Sequence, residues 1–134
     1  MRYLHTMVRI ADIDGSLAFY CGLLGMREMR RVDNEAGRFT LIFLAAPEDR
    51  RRAAEERAPM LELTYNWDQE KPYELGTGFG HLAVGVPDVY GVCDQVTKAG
   101  GKVTRAPGPV KFGTTVIAFV EDPDGYTIEL IERK

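Results

Sequence analysis

Only two histidines stand in the 134-residue chain, His5 and His81, and each opens a segment of the same shape. HTMVRIADI and HLAVGVPDV superpose at an offset of 76 (81 − 5), and each carries an aspartate seven residues after its histidine, Asp12 and Asp88. Farther along, LEL at 61–63 matches IEL at 128–130, which aligns Glu62 with Glu129 at an offset of 67 (129 − 62). Two imidazoles and two carboxylates suit a borderline divalent metal, and a mixed N₂O₂ set leaves coordination positions open for water or substrate. Taken singly, each histidine also fits a hydrogen-bonded core residue and each glutamate an exposed strand residue. Their recurrence at equivalent positions of an internal repeat is what favours a four-ligand site.

Both histidine segments read as strands that run into helices. Leu17, Tyr20, Cys21 and Leu24 fall at i, i+3, i+4 and i+7, and so do Val89, Val92, Cys93 and Val96, one apolar stripe each. Gly25 and Gly100 close the two helices in the place suited to a left-handed cap. Three strand-like runs follow each helix, at 27–32, 38–44 and 60–67 in the first half and at 102–105, 114–121 and 126–132 in the second. The last two runs are joined by the turn Asp122-Pro123-Asp124-Gly125. The expectation is an α+β chain forming a single domain of two βαβββ modules, at about 1–67 and 78–134. A module of that size is marginal alone, so the halves, or two chains, should pack together. The nine-residue difference between the two offsets falls in a charged insertion at about 47–59, bracketed by Pro47 and Pro59. Its core, EDRRRAAEER, mixes both signs and reads as a solvated loop or short exposed helix.

Side chains alternate along a strand, so His5 shares its face with Met7 and Arg9, and Glu62 shares its face with Thr64 and Asn66. At ~3.3 Å per residue, Arg9 and Asn66 each lie roughly 13 Å along the strand from their own metal-type ligand. That is the reach of an extended small molecule anchored at the His/Glu cluster. Near His81 the same face carries Ala83 and Gly85, whose small size is expected to leave room. Glu129, between Thr127 and Ile131, sits in apolar company where an unpaired carboxylate is costly.

The formal charge of −3, with 17 Lys and Arg against 20 Asp and Glu and no basic stripe, argues against a nucleic-acid binder. No apolar run approaches the ~18–20 residues of a membrane span, and charges at Arg2, Arg9, Asp12 and Asp14 interrupt any signal-peptide core. A soluble, cytoplasmic protein is expected. Cys21 and Cys93 lack metal or redox spacing and occupy the same place in the two helical stripes, which marks both as core residues of a reducing compartment.

With the ligand pattern in place, LHTMVRI, ELTYNW, YELGTGFGHLAV and GPVKFGTTVIAFVEDPDGYTIELIE closely resemble the glyoxalase I (lactoylglutathione lyase) family of the vicinal oxygen chelate superfamily. The likeness covers essentially the whole chain except the charged insertion. It implies a homodimer whose paired βαβββ modules form eight-stranded barrels across subunits. It further implies a metal held by His5 and Glu62 of one chain and His81 and Glu129 of the other. Arg9 and Asn66 would bind the γ-glutamyl end of glutathione and Lys111 its glycyl carboxylate. The implied reaction isomerises the methylglyoxal–glutathione hemithioacetal to S-D-lactoylglutathione by a 1,2-proton transfer through an enediolate. Glu129 would be the base, with Glu62 serving the other enantiomer or remaining a ligand. His rather than Gln as first ligand, with a short N-terminus, resembles the bacterial forms that prefer Ni²⁺ or Co²⁺ to Zn²⁺. Thr77 stands where longer members carry arginine, and Phe112 where relatives often have glycine.

Other activities of the same fold remain as alternatives: an epimerase, which would lack ELTYNW and the loop-lysine motif, or a thiol transferase or extradiol dioxygenase, which would use two His and one Glu. A metal-free small-molecule binding module has no reason to keep all four ligand types on inward faces.

Overall fold

The computed structural model describes residues 1–134. The chain divides into two units, Met1–Tyr73 and Glu74–Lys134. In the first, β1 (His5–Ile10) leads through a helical segment to β2 (Arg27–Asn34), β3 (Phe39–Ala45) and β4 (Met60–Asn66), and the sheet order is β1-β4-β3-β2. In the second, β5 (Leu82–Val86), a helix, β6 (Lys102–Pro109), β7 (Val116–Glu121) and β8 (Thr127–Glu132) form a sheet of order β5-β8-β7-β6. First and last strands of each unit are parallel neighbours, and the other pairs are antiparallel.

Alternation sets the two faces of each sheet. In the first unit Val8, Leu63 and Ile42 stand in one cross-strand row and are all buried. In the second, Val84, Leu130 and Ala118 form the corresponding row. The second unit's helix, α3 (Val89–Lys98), buries Val89, Cys93 and Val96 and packs over β6, β7 and β8, as the apolar stripe requires. Asp88 caps it by accepting from the Gly91 N–H at 3.0 Å, and Gly100 closes it with φ +82°.

The first unit's helix departs from the expected single α-helical stripe. Asp12 caps a short α1 (Ile13–Leu17), but Ala18–Leu23 is π-helical, with the Leu24 N–H reaching back five residues to the Phe19 carbonyl at 3.1 Å. Ser16, Phe19 and Tyr20 are buried while Leu17, Cys21 and Leu24 are only half-buried, and the wider turn that starts at Ala18 takes Cys21 and Leu24 out of the α-helical phase. Strand β6 is longer than its sequence pattern, reaching Pro109 through two register shifts around Arg105. The Arg105 guanidinium donates to the carbonyls of Ala106, Gly108, Pro109 and Ile117. Those bonds support a bulged edge strand that tolerates Pro107.

The charged insertion forms a 3₁₀ turn (Pro47–Asp49) and α2 (Arg50–Glu56), largely exposed and buried only at Ala53. That one residue packs with Phe43, Ala45 and Met60. No helix is long and apolar enough to cross a membrane.

Leu63, wholly buried at the centre of its sheet, carries a direct test: Leu63→Ala should lower the unfolding free energy by about 2–5 kcal/mol in urea titration. Asp88→Ala, which removes only a cap, should cost about 1 kcal/mol in the same measurement.

Candidate metal centre

The parallel ladders bring each histidine beside its glutamate. Met7 pairs with Glu62 and Ala83 with Glu129, so each glutamate lies diagonally across from the histidine two residues earlier on the neighbouring strand and shares its face. His5 Nε2 stands 3.8 Å from a Glu62 carboxylate oxygen, and His81 Nε2 stands 3.0 Å from one of Glu129. The glutamates are mostly sheltered, with side-chain exposures of 12% and 18%, while the imidazoles keep 35% and 43%. His81 lies one residue before β5 rather than within it. Its place in the register is opposite Thr127, the first residue of β8, where the ladder begins.

Two donors on one divalent ion, each about 2.0–2.2 Å from it, stand roughly 3.0–3.4 Å apart. The second pair meets that spacing as it stands, and the first is a few tenths of an ångström wider, within reach of a small side-chain rotation. Imidazole nitrogen with carboxylate oxygen is a donor set suited to Ni²⁺, Co²⁺ or Zn²⁺. Each unit thus fits one half of a metal site, and neither gathers three or more His, Cys, Asp or Glu around one point.

Both half-sites contain an aromatic residue that sequence reading did not single out. Phe43 is in register with Glu62 and Phe119 with Glu129. Each ring packs against the neighbouring imidazole at a centroid distance of 5.5 Å. The signal was present in the chain, since Phe43 and Phe119 are separated by the histidine offset of 76 (119 − 43). The next strand adds Arg30 opposite Phe43 and Arg105 opposite Phe119. Arg30 lays its guanidinium over the Phe43 ring at 4.2 Å, a cation–π contact, whereas Arg105 is taken up by the carbonyls of its own bulge.

Arg9 pairs with Thr64 on β4, two residues short of Asn66, which ends that strand. Tyr73 Oη donates to Asn66 Oδ1 at 3.0 Å, which leaves the amide nitrogen as the group's donor. The segment after Asn66 is fixed by a forked Arg38–Asp68 pair, with Trp67 under the guanidinium. This pairing holds the Asp68 carboxyl below its usual range. Lys111 sits in the loop joining β6 to β7, its ammonium 5.0 Å from the ring of the exposed Phe112. Gly85 does not leave the open space expected of it: a Cβ there would lie 2.8 Å from Cγ of Arg133. Both cysteines are free. Burial pushes the Cys93 thiol up, and burial together with the Glu28 charge does so for Cys21.

The model of the Glyoxalase/Bleomycin resistance protein/Dioxygenase superfamily matches residues 2–130. The chain belongs to that superfamily. Within it, the chain is 54% identical over 132 residues to a probable lactoylglutathione lyase of Synechocystis sp., covering 98% of this chain and 95% of that relative. It is also 54% identical to the lactoylglutathione lyase of Haemophilus influenzae, covering 100% of this chain and 94% of the relative. Among solved structures of the superfamily, glyoxalase I from Zea mays superposes with a TM-score of 0.86 at 43% identity over 98% of this chain. The chain spans 44% of the maize chain's length. The mixed α+β architecture of two four-stranded sheets matches the superfamily fold.

Phe43 is 3% exposed and touches both the core cluster and His5. Phe43→Ala should therefore cost about 3–5 kcal/mol in chemical denaturation, whereas Phe112→Ala, at a fully exposed ring, should stay within about 0.5 kcal/mol of the parent.

Proposed function

We propose that this protein is a metal-dependent lactoylglutathione lyase (glyoxalase I). It would convert the methylglyoxal–glutathione hemithioacetal to S-D-lactoylglutathione. The observation that carries this reading is the twofold recurrence of a His–Glu pair with donor spacing suited to one divalent ion, in a chain about half identical to relatives bearing that name. In this reading His5, Glu62, His81 and Glu129 are the metal ligands. The ion is Ni²⁺, with Co²⁺ and Zn²⁺ as the other fits, and the site of action is the cytoplasm.

Each unit offers two ligands, and a site of four joins the His5/Glu62 half of one chain to the His81/Glu129 half of a second. That arrangement makes the working protein a homodimer with barrels completed between subunits. The modules at about 1–67 and 78–134 are then two halves of one domain.

Held by His5, Glu62, His81 and Glu129, a divalent cation would supply the Lewis acidity that makes the substrate C–H bond acidic. The chain's own residues do the rest. Glu129 takes the proton from the carbon bearing sulfur and returns it to the adjacent carbonyl carbon, while the hydroxyl proton passes between the oxygens. The product is an isomer and no redox partner is consumed. Glu62 remains a ligand or serves the opposite enantiomer. Arg9 and the amide of Asn66 bind the γ-glutamyl group, and Lys111 meets the glycyl carboxylate by charge-assisted hydrogen bonds.

Stripping the metal with a chelator should abolish isomerase activity followed by thioester absorbance, and Ni²⁺ or Co²⁺ should restore it; full activity of the stripped protein would sink the reading. Glu129→Gln should remove turnover while the protein still takes up metal. An inactive His5→Ala variant mixed with an inactive Glu129→Gln variant should recover about a quarter of parental activity, because half of the dimers then hold one intact site. No recovery, with subunit exchange confirmed, would place all four ligands in a single chain.

A further inference from the structure

The repeat that relates the histidines also relates the residues beyond them, and there the two units differ. Shifted by 76, Arg9 falls on Gly85 (85 − 9), and shifted by 67, Asn66 falls on Arg133 (133 − 66). The ladders agree with both shifts. Arg9 pairs with Thr64, two residues before Asn66, and Gly85 pairs with Ile131, two residues before Arg133. The first unit thus has a cation on its first strand and an amide at the end of its last. The second has no side chain at the first position and a cation at the second.

Arg133 occupies the place that Gly85 vacates. A Cβ on Gly85 would lie 2.8 Å from Cγ and 3.5 Å from Cβ of Arg133, so the arginine stem lies across β5 where a side chain would otherwise stand. That side is the ligand face, because Ala83, two residues before Gly85, is in register with Glu129. The Arg133 N–H donates to the Val86 carbonyl at 2.8 Å, which carries the ladder one step past β8 and fixes where the side chain begins. The guanidinium is exposed and engaged in no hydrogen bond or ion pair, while its neighbour Glu132 is taken by Lys134 at 3.3 Å.

Four residues at ~3.3 Å each put Arg133 roughly 13 Å along the strand from Glu129, the same interval that separates His5 from Arg9. Lys111 belongs to this end of the sheet as well. Ile131 pairs with Ile117, so residue 133 falls opposite residue 115. Thr115 closes the 110–115 loop by accepting from the Val110 N–H at 2.9 Å.

We propose that Arg133 is a ligand-binding residue of the second half-site and that, with Lys111, it receives a terminal carboxylate of the thiol cosubstrate. The proposal rests on the glutathione reading above and sharpens it. A guanidinium takes a carboxylate through two parallel N–H bonds, which an ester or amide cannot accept in the same way. The chain then selects thiols with a free carboxylate at the glycyl end.

The test uses metal-loaded, full-length protein, calorimetric titration with glutathione and with its glycyl monoethyl ester, and turnover of the hemithioacetals of both. Glutathione should bind the parent about tenfold more tightly than the ester. Arg133→Ala should weaken glutathione binding and raise KM severalfold at unchanged kcat and leave the ester within twofold, so that the discrimination shrinks to what Lys111 alone supplies. Arg133→Lys should recover only part of the loss, since an ammonium keeps the charge without the fork. An unaltered affinity for glutathione in Arg133→Ala, or an equal loss for acid and ester, overturns the proposal. If the parent binds glutathione with that discrimination but does not isomerise the hemithioacetal, the reaction reading fails and the proposal stands. If glutathione does not bind at all, both fall.

Discussion

In each unit the first strand and the last run side by side in parallel, and the placement of every candidate ligand depends on that pairing. Parallel neighbours cannot be joined by a tight turn, so the chain must travel through a helix and two further strands before it returns. The return fixes which residues meet. Because Met7 stands opposite Glu62 and Ala83 opposite Glu129, each histidine two residues upstream is a diagonal neighbour of a carboxylate on the same face. A slip of one residue in either ladder would send the glutamate to the helix side. The apolar rows Val8–Leu63–Ile42, buried throughout, and Val84–Leu130–Ala118, buried at Leu130 and Ala118, oppose such a slip, since it would carry them out of the core. The hydrophobic face thereby sets the geometry of the polar one.

The two half-sites share a plan and differ in how it is supported. Both place a phenylalanine between the carboxylate strand and an arginine on the next strand. In the first unit Arg30 covers the ring and α2 backs it through Ala53, so the charged insertion supports the ligand side of the sheet. In the second unit Arg105 spends its donors on the carbonyls of a bulged edge, and the ring is left to the imidazole and its own strand neighbours. The same divergence separates Arg9 and Asn66 from Gly85 and Arg133. Such a repeat keeps the His–Glu pair common to both units while making the two flanks of that pair unlike.

Much of this was legible in the chain. The matched His and Glu positions, the capping aspartates, the glycine stops and the βαβββ succession of each half follow from local patterns whose periods are short enough to read directly. Less legible were features that depend on what lies opposite in space. The π-helical turn at Ala18–Leu23 left Cys21 and Leu24 only half-buried while Phe19 and Tyr20 are buried, because one wider turn rotates every later side chain. Strand β6 ran past Pro107 because Arg105 satisfied the carbonyls that a proline-containing edge leaves open. Gly85 looked like room until Arg133 was found lying over it.

What the sequence by itself determined is the kind of chemistry: two imidazoles and two carboxylates at equivalent points of a repeat, on strands whose alternation puts them on one face. Residue type and period decide those things, and both are local properties. Only the tertiary structure decided the pairing of each histidine with its glutamate at 3.8 and 3.0 Å, the rings that flank them, and the arginine that fills the glycine's place. Those depend on register between strands distant in the chain, which packing of the apolar face selects and no short window of sequence contains.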